Sequence, residues 1–205
     1  MSLTAKATNE KQFELAPEGT HIARCVQIVD LGTQQVEFKG EKKEQHKARI
    51  TWELPNETRV FKEENGEQPF LVSKEFTVSL SEKANLRKVL ESWRGKAFDE
   101  IELQGFDIMN VLGIPCMLQI IHKTSQSGNK YAEISSVMKL MKGTVCPAQI
   151  NPSTSLSFED WDESVFNGLN EWLRDKIKVS PEYRALREPE NTHTQDEPND
   201  DGLPF

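Results

Sequence analysis

The sequence predicts a mainly β fold, with five strands curled into a small barrel, a helical insertion between the third and fourth, C-terminal helices, and an acidic tail. Three observations predict it. Apolar and polar residues alternate over 48–54 and again over 72–80, an amphipathic helical stripe follows over 86–93, and two later β-prone segments flank a turn-rich stretch at 123–130.

The first strand is expected from Gly19 to Leu31, after turn signals at Pro17 to Gly19. A polar stretch from Gly32 to His46, with Phe38, Lys39, Lys42 and Lys43, reads as an extended hairpin or loop. In strand two Ala48, Ile50, Trp52 and Leu54 alternate with Lys47, Arg49, Thr51 and Glu53, so one face is apolar, and Pro55 is expected to end it. That parity places Trp52 inside. After a polar loop through Glu63, Glu64 and Gly66, strand three alternates Val72, Phe76, Val78 and Leu80 with Ser73, Glu75, Thr77 and Ser79, and Lys74 interrupts its apolar side. Ser81 is positioned to cap a helix carrying Leu86, Val89, Leu90 and Trp93, which Gly95 ends. A second short helix is expected over 106–112, stopped by Gly113 and Pro115. Strands four (116–122) and five (131–140) then form a hairpin.

Three strands, a helical insertion and two strands is the order of a five-stranded OB-fold barrel. Beyond Gly143 a Pro- and Ser-rich linker, 147–157, leads to helices over 161–169 and 171–179 and a third starting at Ser180-Pro181. Trp161, Phe166, Leu169, Trp172, Leu173 and Ile177 give these helices enough apolar surface to pack on the barrel or on another subunit. From Glu188 onward the chain is rich in Pro, Asn, Thr and acids, a composition that predicts disorder.

Net charge is -8, from 25 Lys and Arg against 33 Asp and Glu, which at first argues against a polyanionic partner. The distribution reverses that argument. Six acids (Glu188, Glu190, Asp196, Glu197, Asp200 and Asp201) follow Arg187 with no Lys or Arg among them, whereas residues 1–143 hold 20 acids and 20 bases. A basic face is available there if the fold segregates the signs.

The tail ends its acidic run in Leu203-Pro204-Phe205. An aromatic ring beside a free α-carboxylate, with Asp200 and Asp201 steering it, suits a shallow apolar pocket rimmed by Arg or Lys on a partner protein. The run Asp200-Asp201-Gly202-Leu203-Pro204-Phe205 is similar to the acidic tip of bacterial single-stranded DNA-binding proteins, with Gly202 and Leu203 where that tip usually has Asp and Ile. Residues 17–180 resemble the phage helix-destabilising OB-fold family through Arg49-Ile50-Thr51-Trp52-Glu53-Leu54-Pro55, the run from Asn85 to Gly95, and Gly105-Phe106-Asp107. The resemblance implies sequence-tolerant binding of single-stranded DNA (ssDNA), protection of replicating strands, and recruitment of replication and recombination proteins through the tip.

OB folds bind oligonucleotides across strands two and three, between the loop joining strands one and two and the loop joining four and five. Here the first loop offers Phe38, Lys39, Lys42 and Lys43, and the second offers Lys123, Lys130 and Tyr131 at its exit. Lys47, Arg49 and Lys74 are placed to line the floor between them. Cations along the phosphates and rings beneath the bases are what such binding requires.

Metal and catalytic chemistry find little support. His21 with Cys25 and Cys116 with His122 lack zinc spacing, and phosphate-loop, nucleophile-elbow and HExxH motifs are missing from the sequence. A protein that is no enzyme and needs no cofactor is expected. Three cysteines far apart suit a reducing compartment, and the N-terminal segment lacks a signal-peptide pattern, so a cytoplasmic location without membrane association is expected. A homo-oligomer is compatible with the apolar extension. The expected organisation is an OB-fold ssDNA-binding domain over 1–143, a linker and C-terminal helical extension over 144–187, and a protein-interaction tail over 188–205. Two rivals use the same features: a recombination mediator or strand-annealing protein, and an OB-like adaptor that binds only proteins.

Overall fold

In the computed structural model, which describes residues 14–38 and 40–188, a single long strand carries the sheet. Strand β1 (Gly19–Phe38) pairs antiparallel with β2 (Glu41–Val60) along one edge. Its other edge is shared. β4 (Pro115–Thr124) pairs antiparallel with Gly19 to Arg24, and the three-residue β6 (Thr154–Leu156) pairs parallel with Gln27 to Val29. β3 (Glu67–Thr77) flanks β2, β5 (Lys130–Met138) flanks β4, and the order is β3-β2-β1-β4-β5. The fold is thus mainly β and dominated by antiparallel pairing. The sheet is open between its outer strands β3 and β5, although Lys74 Nζ of β3 donates to the Ile134 carbonyl of β5 at 2.6 Å.

Helix α1 (Asn85–Arg94) follows β3 and packs against the outer strands, tied to the end of β5 by Lys139 N–H donating to the Ser92 carbonyl at 3.1 Å. Its buried face is Leu86, Leu90 and Trp93, the predicted stripe, and these meet Ile50, Trp52, Phe76, Leu118, Ile134 and Val137 in the main core. Trp52 is fully buried, with its ring centroid 5.6 Å from Trp93 and 6.5 Å from Phe76. A second core lies on the opposite face of β1. There Val29, Leu31 and Leu156 pack with Phe166 of α3 (Glu163–Gly168), Leu173 and Ile177 of α4 (Glu171–Lys178), and Tyr183 of α5 (Pro181–Arg187). Adjacent residues of a strand point to opposite faces, so Ile28 enters the first core and Val29 the second.

Several boundaries differ from the sequence expectation. Of the two readings offered for Gly32 to His46, the hairpin is the one found, its arms paired from Thr33 with His46 to Phe38 with Glu41; elsewhere the bounds move. The hairpin has no continuous apolar face to betray a strand; polar contacts support the pairing instead, with buried Gln34 donating to the Leu31 and Lys176 carbonyls and Thr33 to Glu182. Pro55 does not end β2; it falls in the register shift between Leu54 and Thr58, where its missing N–H breaks no ladder bond. β3 begins at Glu67 and stops at Thr77, earlier than expected at both ends. Ser81 does not cap α1; Ala84 stands at the N-cap, and Ser81 accepts from its N–H instead. The helix expected over 106–112 is only a 3-10 turn, Ile108–Val111, capped by Asp107, and a short helix that was not expected, α2 (Glu100–Gln104), precedes it, held by an Asp99 and Glu102 capping box. β6 was masked in the sequence by its Pro- and Ser-rich surroundings. The expected helix end at Gly95, left-handed with φ 69°, and the expected helix start at Ser180, whose hydroxyl accepts from Tyr183 N–H, are both found. No helix among the described residues is long and apolar enough to cross a membrane.

A second bulge in β1, between Asp30 and Gly32, brings the extension into close contact. Gly32 has φ +66°, and a Cβ there would lie 2.6 Å from the Ser180 Cβ and 2.7 Å from a Glu182 oxygen. Gly128 has φ +85° with nothing within 4 Å, so it isolates backbone strain from steric conflict. Chemical denaturation should show Gly32→Ala less stable than Gly128→Ala by about 1 to 3 kcal/mol. Equal losses would mean that α5 is not seated on the bulge.

Candidate nucleic-acid interface

The polar outer face of β2 and β3 presents Lys47, Arg49, Thr51 and Glu53 opposite Thr77, Glu75, Ser73 and Leu71. The C-terminal extension covers much of it. At one end Glu53 is fully buried, its carboxylate accepting from Ile150 N–H at 2.9 Å and from the backbone N–H and side-chain amide of Asn151 at 2.7 Å each. In the middle the Arg49 guanidinium lies 4.8 Å from the Trp172 ring centroid and 3.8 Å from Glu75, while Lys176 bonds both Glu75 oxygens at 2.6 and 2.8 Å. Burial pulls the Arg49 pKa below its ordinary value, and the Glu75 carboxylate offsets only part of that fall.

The other end opens into a cleft of about 320 Å³ between the end of β3 and the start of α1. Lys47, Lys74 and Lys83 line it, with the hydroxyl residues Thr77, Ser79 and Ser81, and Glu75 is its single acid. Lys47 donates to Thr77 Oγ1 at 2.9 Å, and its pKa is lowered, first by burial, with Lys176 adding to the fall and Glu75 opposing it. A desolvated ammonium that neighbours a second cation gains from an anion beside it. Lys74 has the inward parity of Ile50, its β2 neighbour, and its amine is engaged at the β3 to β5 seam.

The remaining expected residues lie apart from this cleft. Lys42 and Lys43 are exposed on the β1–β2 arm, with Lys43 3.1 Å from Glu41. Lys123 and Tyr131 face each other across the β4–β5 hairpin, where Lys123 pairs with Glu133 at 2.7 Å and Tyr131 and Lys130 are exposed. Phe38 ends β1; its side chain, Lys39, and the tip residues Asp200, Asp201, Leu203, Pro204 and Phe205 lie outside the described part. Of the ten residues expected to bind nucleic acid, Lys47 and Lys74 share the cleft and Arg49 borders it under Trp172. Lys83, Trp172 and Lys176 were not singled out. Lys83 sits in a segment that reads as a helix cap, and Trp172 in one that reads as packing surface.

His21 and Cys25 do not form a pair. His21 lies 3.0 Å from Glu57 and donates to the Pro17 carbonyl at 2.9 Å, and His122 donates to the Ala16 carbonyl at 2.8 Å. Burial pushes the Cys25 thiol up to about 12 and Cys116 well above its ordinary value, so both stay protonated and unreactive. Among the described residues no group of three or more His, Cys, Asp or Glu side chains is placed to hold a metal ion. No family model matches the chain, and no curated protein does.

The extension is fastened over this face by a carboxylate clasp. Glu182 accepts from Thr33 N–H at 2.8 Å and the Thr33 hydroxyl at 2.6 Å, and His46 lies between Glu182 (3.4 Å) and Asp30 (2.7 Å). Burial raises the Asp30 carboxyl above its ordinary 3.8. Burial also pushes Glu182 up, but the Thr33 bonds and His46 outweigh it and hold the carboxyl below its ordinary 4.5. A depressed carboxylate contributes stability that is fully present above its unfolded value and is lost as pH falls through the folded one. Glu182→Gln should therefore be less stable than wild type near pH 6, with the gap shrinking below pH 4.5. Asp30 acts in the opposite sense; burial, the main cause of its rise, is common to both proteins, and only the smaller push from Glu182 is lost on substitution. Denaturation midpoints measured from pH 6 to pH 3 test this, and a gap independent of pH would refute the clasp.

Proposed function

We propose that this chain is a non-enzymatic, sequence-tolerant ssDNA-binding protein whose body is an OB-fold barrel opened at the seam between β3 and β5. The strand order, the helix packed across the outer strands, and the Lys74 bridge to Ile134 support that fold assignment. The observation that carries the function is the lysine-lined cleft, where Lys47 and Lys83 stand among hydroxyl side chains at the open end of the β2–β3 face and Lys74, its amine engaged at the seam, lines the wall. Cations in a groove with hydroxyl donors suit a sugar-phosphate backbone, whatever the base. Lys42, Lys43, Lys123, Lys130 and Tyr131 extend the surface along the two hairpins. With Phe38 and Lys39 they would follow a strand crossing the sheet.

In this reading six of the acids behind the net negative charge belong to the residues from Glu188, and Asp200, Asp201, Leu203, Pro204 and Phe205 recruit replication or recombination proteins. The setting would be the cytoplasm of a bacterial or phage-infected cell. A second reading, an adaptor that binds only proteins, is favoured by the ion pairs that already engage Arg49, Lys123 and Lys176.

Fluorescence titration with oligo-dT at several salt concentrations separates the two. The expected result is quenching and a steep negative dependence of log K on log salt. Lys47→Ala combined with Lys83→Ala should lower affinity and reduce that slope by about 0.7 per lysine removed. A wild-type protein that gives no binding at low salt would overturn the ssDNA reading in favour of the adaptor.

A further inference from the structure

We propose that Trp172, on the C-terminal extension, is a base-stacking platform for the strand whose phosphates run through the lysine cleft, an inference that rests on the ssDNA reading above. Trp52 and Trp93 are buried in the main core, and Trp161 is packed among Phe158, Phe166 and Tyr183. Trp172 alone of the four tryptophans presents about half its surface, 47 %, to solvent. Its ring is nonetheless held. The neighbouring Leu173 and Ile177 anchor α4 in the second core, and Arg49 lies against the ring 4.8 Å from its centroid. Arg49 is in turn fixed by Glu75, and Glu75 by Lys176.

A half-exposed indole backed by a guanidinium is suited to a base. The ordering entropy of the ring is already spent in the free protein, and a π surface accepts any base. Its position matches the backbone path. Glu75 borders both the platform and the cleft, and Lys47 is two residues from Arg49 along β2, about 6.6 Å away on the same face. A nucleotide could therefore place its phosphate beside Lys47 and its base on Trp172. Phe61 is similarly exposed, but it lies past the Val60 to Glu67 end of the β2–β3 ladder, roughly 30 Å from the cleft, and is packed edge-on against Phe70.

Full-length wild type, Trp172→Leu and Trp172→Phe are titrated with oligo-dT and with an abasic oligonucleotide of the same length. Leucine keeps an apolar cover over Arg49 without the ring. The expected result is that Trp172→Leu loses about five-fold to a hundred-fold in oligo-dT affinity and most of the quenching, at an unchanged salt slope and with unchanged abasic-strand binding. Trp172→Phe should recover part of the affinity. If wild type binds and Trp172→Leu binds oligo-dT equally well, or loses oligo-dT and abasic binding alike, the platform is wrong and Trp172 serves only to seat α4. If wild type binds neither strand, it is the ssDNA reading itself that fails.

Discussion

Strand β1 must serve two cores and three pairing partners at once. A straight strand of 20 residues would run about 66 Å, longer than a domain of this size is wide. Two register shifts, at Cys25/Gln27 and Asp30/Gly32, bend it so that β4 and β6 can share one edge while β2 follows the other. The second shift also forces Gly32 into the left-handed region, and this is where Ser180 and Glu182 seat the start of α5. The bend that accommodates the sheet is therefore the attachment point of the extension.

The electrostatics of the β2–β3 face follow from that attachment. Arg49, Glu75 and Lys176 form a three-charge group partly shielded by Trp172, which lasts better than exposed pairs such as Lys43 with Glu41 or Lys123 with Glu133. Exposed pairs are worth about 0 to 1 kcal/mol, so a phosphate can replace the carboxylate at little cost. The shielded group offers no such exchange. Arg49 thus acts as support beneath a ring and Lys74 as a tie across the seam, which leaves Lys47 and Lys83 at the cleft and the exposed lysines of the hairpins as the more accessible cations.

The parts of this fold that could be read from sequence are those where side-chain period reports burial. The alternation from Ala48 to Leu54 put Trp52 inside, and the stripe from Leu86 to Trp93 named the buried face of α1. The β1–β2 arm was legible only as a hairpin or a loop, and β6 not at all, because a mostly polar stretch or a three-residue length leaves no period to detect. Lysines could be counted but not placed. Lys47 and Lys83 are 36 positions apart in sequence and meet only because β3 returns the chain to the start of α1. Lys74 was flagged as an interruption of an apolar face; the structure supplies the reason, a seam carbonyl at Ile134 that its amine reaches.

Helix geometry explains why the extension belongs to the candidate site. Residues four apart share a helix face, and a neighbour one position on is turned by about 100°. Leu173 and Ile177 are committed to the second core by Val29 and Leu31. Trp172 and Lys176, each one position earlier, are then turned toward the adjoining β2–β3 face, where Arg49 and Glu75 receive them. Burying one side of α4 is sufficient to aim the other. The same packing that stabilises the extension therefore delivers an aromatic ring and a cation to the edge of the lysine cleft, and no separate element is needed to position them.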